Sequence, residues 1–248
     1  MIGMPRKYQA SLFCDMENLR PSVETIPPLL QAFLDRNLLP STYYELALVP
    51  QGPPKNVPRL RFASSDNEWT VEFETVRINI EKNSIKPSGE NLGNVEDFAR
   101  DALDLLQRIT RIFPKNGTRL ALVTTSVLSE VSAEKSRDFF SRLILPTTFH
   151  QENPVLTWAL HLHAKLDREI AGHLEVINVL TQVNRAIGQI LEGETIIPFD
   201  GIQIQLDVNT IAENTQPRFD FETAHAFFME ALAIRRQALD SLRGQLNV

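Results

Sequence analysis

The chain has 248 residues, of which 43% are hydrophobic and 23% charged, with a formal net charge of −6 and a pI near 5.5. This composition excludes a disordered chain, and no apolar run approaches the roughly 18 residues that a membrane-spanning helix needs. The acidic balance argues against duplex nucleic acid as the main ligand, because phosphate contacts draw on a basic face.

Met1 to Lys7 precedes only a short apolar stretch, so no signal peptide is expected and the cytoplasm is the expected compartment. The single cysteine, Cys14, excludes an internal disulfide, and its place after Leu12-Phe13 reads as a small buried hydrophobe.

In chain order, a short strand over Ser11 to Cys14 leads to a helix carrying Ile26, Leu29, Leu30, Phe33 and Leu34, with Pro27 and Pro28 in its first turn. Asn37 to Ser41 stops that helix. Strands are predicted near Tyr43 to Val49, Leu60 to Ala63, Trp69 to Phe73 and Val76 to Ile80, with Pro50 to Pro58 as a loop. Asn94 caps a long amphipathic helix whose apolar positions are Val95, Phe98, Ala102, Leu105, Leu106, Ile109 and Ile112.

A second round follows. Leu120 to Val123 reads as a strand buried on both faces, and Ser132 caps a shorter helix containing Phe139, Phe140, Leu143 and Ile144. Strands are predicted over Leu156 to Leu166 and His173 to Val183, and Arg185 to Leu191 is read as an extra helical turn. A hairpin about Asp200-Gly201 and a helix from Phe221 to about Leu242 complete the chain.

The two rounds match in pattern. Phe73-Glu74-Thr75 before Val76, Ile78 and Ile80 is echoed by Phe199-Asp200-Gly201 before Ile202, Ile204 and Leu206. Residues 74 and 200, like the helix-initiating residues Asn94 and Asp220, are 126 positions apart. We therefore expect an α+β fold built by internal duplication of a strand-helix-four-strand-helix unit, residues 1–116 and 117–248. Its curved antiparallel sheets would pack on long helices, as in the TATA-binding-protein saddle or the helix-grip fold, and be joined through the first strand of each half.

Chemistry-bearing residues are few. His161, His163 and Asp167 share one face of a strand, a pattern that suits a divalent metal, against the plainer reading of a water-facing stripe. Arg59 and Arg61 form a local basic stripe that could serve nucleic acid on an open sheet face, or be the wet side of a half-buried strand. His225 lies at the start of the last helix, without a nucleophile or orienting carboxylate near it in sequence. The acids Glu96, Asp97, Asp101 and Asp104 form either a solvated helix face or a partner-binding one. No glycine-rich phosphate loop is present, and no cofactor is expected.

Pro58-Arg59-Leu60-Arg61-Phe62, then Ser64, Asp66, the hairpin ending near Asn79 and the following long helix, together with Ala224-His225, Phe228 and Ile234, resemble a sporadically distributed family of uncharacterised prokaryotic proteins of similar length. The resemblance implies no enzymatic activity. The family's patchy distribution is like that of mobile defence or toxin–antitoxin genes, which implies a recognition role. The leading expectation is thus a non-catalytic module that binds a protein partner, with a homo-oligomer also open. The alternatives are a metal-dependent enzyme at His161, His163 and Asp167, and a nucleic-acid binder on the open sheet face.

Overall fold

The computed structural model describes residues 3–47, 53–86, 88–129, 131–144, 147–153, 155–192 and 195–246. Among them, nine antiparallel strands form one sheet in an α+β fold with five helices. The strands are β1 (Met4–Phe13), β2 (Leu39–Ala47), β3 (Lys55–Ala63), β4 (Trp69–Phe73), β5 (Arg77–Asn83), β6 (Arg119–Ser129), β7 (Ala159–Ile170), β8 (His173–Glu192) and β9 (Thr195–Thr210). The helices are α1 (Ile26–Ala32), α2 (Val95–Ile112), α3 (Ala133–Leu143), α4 (Thr148–Glu152) and α5 (Phe221–Leu246), and none of them is long and apolar enough to cross a membrane.

The sheet order is β2-β3-β4-β5-β1-β6-β9-β8-β7. β1 and β6 meet at its centre, in register from Tyr8 opposite Thr124 to Phe13 opposite Arg119, as the composition of Leu120 to Val123 predicts. On each side of this seam a meander returns its last strand, β5 or β9, to the central one.

Local chemistry explains the helix starts. The Asn94 side chain accepts from the amide of Asp97, Ser132 from that of Lys135, and Asp220 from that of Thr223. Each satisfies an amide that has no partner inside its helix. The predicted stripe of α2 is buried at Val95, Phe98, Ala102, Leu105, Leu106 and Ile109, and it packs with α5 residues Phe227, Phe228 and Ala231 onto Tyr8, Ala10, Leu12, Ile78 and Ile80. A second core cluster joins Phe139 and Trp158 to Val183, Ile204, Leu206, Leu239 and Leu242.

Four local readings need correction. The loop predicted to Pro58 ends earlier, because β3 starts at Lys55 and pairs Pro58 with Tyr44 beside the edge strand β2. Arg185 to Leu191 is not helical but continues β8. Asp200-Gly201 is not a turn, since Gly201 lies within β9 opposite both Ser129 and Ala186. The Asp200 carboxylate is held instead by Arg185, through Nε at 2.9 Å and Nη2 at 2.6 Å. A Cβ at residue 201 would stand 2.5 Å from the Leu128 carbonyl oxygen, so glycine is required by the closeness of the neighbouring backbone rather than by a turn. Consequently α3 and α4 are followed by three strands, where the sequence pattern predicts four.

Candidate functional site

Two long helices lying together leave a groove wherever their facing residues are not large enough to meet. α2 offers Glu96, Arg100, Leu103, Asp104 and Gln107 at helical spacing, and α5 offers Phe221, His225, Met229 and Leu232. They line an open, mainly apolar groove of about 450 Å³. Leu103 and Leu232 are buried at its floor, while Met229 is 41% exposed at its lip. Arg236 of α5 reaches Glu96 of α2 at 3.2 Å, and Arg108 binds Asp104 at 2.6 Å. The groove therefore brings together residues that the sequence offers separately: the exposed His225 and two of the α2 acids, Glu96 and Asp104. Of the other two, Asp97 pairs with Arg100 and Asp101 with Arg36.

The remaining sequence candidates lie apart from it. His161, His163 and Asp167 are exposed on β7, the outermost strand on its side of the sheet. A strand rises roughly 3.3 Å per residue, so His163 and Asp167 stand about 13 Å apart along it. The His163 ring is engaged with Asn178 Oδ1 at 2.9 Å. Among the described residues, no three His, Cys, Asp or Glu side chains converge to hold a metal. Cys14 is buried as its sequence context predicts, and burial pushes its thiol up to about 12, far from a reactive thiolate.

No protein-family model matches the chain, and no curated protein or solved structure matches it significantly.

Neither arginine of the basic stripe is a free surface cation. Arg59 is 1% exposed, and its guanidinium is spent on Glu45, Thr75 and the carbonyls of Met16, Glu17 and Leu19. Alternation places it on a wet face, but the loop after β1 closes over it. Arg61 lies 3.4 Å from Glu72 and stays partly exposed.

Sequence reasoning overlooks a polar network on the sheet face away from the helices. There the register sets Phe13 between Arg77 and Arg119, whose guanidinium carbons lie 5.7 and 4.7 Å from the ring centroid. Arg119 donates to Asn209 Oδ1 at 2.9 Å, and Asn209 donates to Asp207 at 2.8 Å. Alternating polar residues in β9 are the signal for it, although the sequence does not say which strands stand beside them. Burial raises the Asp207 carboxyl above its ordinary range, with the Asn209 bond and the Arg119 charge opposing.

Because the shift is upward, the folded state loses stability relative to the unfolded chain as pH climbs from about 4 through the raised value. Asp207→Asn keeps the acceptor for Asn209 and removes the buried charge. The variant is expected to be more stable than wild type at neutral pH, and the advantage should shrink to nothing as pH falls below about 4. Urea midpoints measured across that range test it. An advantage independent of pH would assign the effect to packing instead.

Proposed function

We propose that the chain is a non-catalytic binding module whose groove between α2 and α5 receives the apolar stripe of a helix from a partner protein, with basic residues flanking that stripe. The observation that carries this reading is the open apolar groove of about 450 Å³ with Met229 at its lip. Amphipathic helices bind such grooves through anchors at successive turns, and because the rim carboxylates Glu96 and Asp104 are already paired with Arg236 and Arg108, the preference for a basic flank comes from the charge of the chain as a whole. That charge is −6, and it acts at long range on the approach of a basic partner.

In this reading residues 1–116 and 117–248 are two copies of one unit, fused through β1 and β6 so that each contributes one long helix to the groove. The fold belongs with helix-grip or TATA-binding-protein-like sheets. The resemblance to the sporadically distributed prokaryotic family agrees with a recognition role, in antiviral defence or toxin–antitoxin regulation.

The test is affinity capture from the native host with the wild-type chain, with Met229→Glu and with a control substitution, Tyr44→Glu, on the distant edge strand. We expect one stoichiometric protein partner, retained by the control and weakened roughly tenfold or more by Met229→Glu, since a charge within an apolar contact removes an anchor. Met229 is exposed, so the variant should melt like wild type. Equal capture by all three chains would move the site elsewhere.

A further inference from the structure

The ribbon formed by β8 and β9 outruns both of its neighbours. Pairing of β7 with β8 ends at Ala159 opposite Asn184, and pairing of β6 with β9 ends at Ser129 opposite Gly201. β8 and β9 nevertheless stay paired to Glu192 opposite Thr195. The result is a two-stranded arm beyond the sheet. Such a ribbon is marginally stable in water by itself, and this one exposes Ile187 (57%) and Ile196 (60%), which the register puts on the same face as Val183.

The three free edges in this region differ in how they are guarded. The outer edge of β7 carries His161, His163, Lys165, Asp167, Arg168 and Glu169, the charged and polar residues that discourage strand addition. This gives His161, His163 and Asp167 a role that needs no metal. The outer edge of β9 in the arm contains Pro198, which has no N–H to offer. The β8 edge from Ala186 to Leu191 has neither a charge nor a proline. Its outward groups can be placed, because the Arg185 amide still points out of the ribbon to Trp158 O at 3.2 Å. Alternation along an antiparallel strand then turns the N–H and C=O of Ile187 and Gln189 outward as well, with no partner strand among the described residues.

We propose that this β8 edge pairs antiparallel with the same edge of a second copy of the chain, forming a closed twofold dimer through the arm. The charges of β7 and the proline of β9 are what single out a second β8. A β8-to-β9 contact between copies would repeat head to tail, closing into a ring or growing into a filament, and Pro198 opposes that contact. An edge paired with itself needs one surface only, and the twofold puts each outward-facing residue opposite another outward-facing one.

The experiment is sedimentation analysis of the full chain over a concentration series, alongside Gln189→Pro and Ile187→Lys. Gln189→Pro removes an outward N–H and leaves the ladder to β9 intact, and Ile187→Lys restores the guard that the edge lacks. We expect a wild-type dimer and two monomeric variants with unchanged circular dichroism and melting. In the wild type, hydrogen exchange at the Ile187 and Gln189 amides should slow as concentration rises. A monomer at every concentration, a dimer that survives both substitutions, or open-ended assembly would each overturn the proposal. Met229→Glu should leave the dimer intact, which separates this result from that of the groove.

Discussion

Replacing Arg59 with methionine is expected to destabilise the fold by about 3–5 kcal/mol, because it leaves the loop carbonyls that this buried guanidinium satisfies without a donor, at roughly 1–3 kcal/mol each. Its Nε donates to Glu45 at 3.0 Å, and Nη1 donates to the carbonyls of Met16, Glu17 and Leu19 at 3.1, 3.2 and 3.4 Å. Nη2 donates to the Thr75 hydroxyl, and Glu45 also accepts from that hydroxyl and from the Thr75 amide. One planar group thus joins the loop after β1, the edge strand β2 and the turn between β4 and β5.

Glu45 is partly solvated, so its freed charge contributes the smaller share; the stranded carbonyls and the lost guanidinium packing contribute the rest. Arg59→Lys should recover only part of the loss, because a single ammonium nitrogen cannot span the acceptors that the three guanidinium nitrogens reach at separate positions. Urea unfolding reads this as a lower midpoint at constant slope. A loss below about 1 kcal/mol for methionine would mean that the 16–19 loop is held by its own packing of Met16 and Leu19, and that the arginine is incidental.

Arg59 also marks where a sequence stops being readable. Helix starts are legible because their cause is local: Asn94, Ser132 and Asp220 each need only an amide three residues ahead. The buried face of α2 is legible because a period of 3.6 residues is fixed by the helix itself. Failures occur where the deciding partner is distant. Nothing near Arg59 in sequence announces the carbonyls of Met16 and Leu19. Asp200-Gly201 has the chemistry of a turn, but Arg185 and the backbone of Leu128 decide its conformation.

The histidines of β7 invite a metal reading because alternation shows which residues share a face. It does not show that the strand is an edge, or that two sites four residues apart are too distant to share an ion. The groove is half legible. Each helix's pattern can be seen, and the doubly buried composition of Leu120 to Val123 points to the pairing of β1 with β6, but which side chains of the two helices then face each other across the groove is set by distant contacts.

Glu175→Leu is expected to have an effect of similar size, about 3–5 kcal/mol, for a related reason. Glu175 is 7% exposed and receives Arg218 in a two-point contact, Nε to Oε1 at 2.7 Å and Nη2 to Oε2 at 2.9 Å. Arg218 Nη1 donates to the carbonyls of Thr118 and Asn214, and its guanidinium lies 4.3 Å from the Phe219 ring centroid. The backbone continues the clamp: Gly117 and Phe219 exchange hydrogen bonds at 2.7 and 2.9 Å. This ties the connection between β9 and α5 to the start of β6 just before α5 begins at Phe221, a residue of the groove.

With leucine at 175 the mostly buried Arg218 loses its counter-charge, and the connection should loosen before the sheet does. A double-mutant cycle distinguishes this account from simple loss of packing. Arg218→Met in the Glu175→Leu background removes the stranded charge, so the double variant should be more stable than the sum of the single losses implies. Relative to wild type, the same variants should show a larger rise in hydrogen exchange in the first turn of α5 than in that of α2, because the Arg218 clamp lies directly before α5. Additive losses with uniform exchange would place Glu175 and Arg218 in the general packing of the core and remove them from the support of the groove.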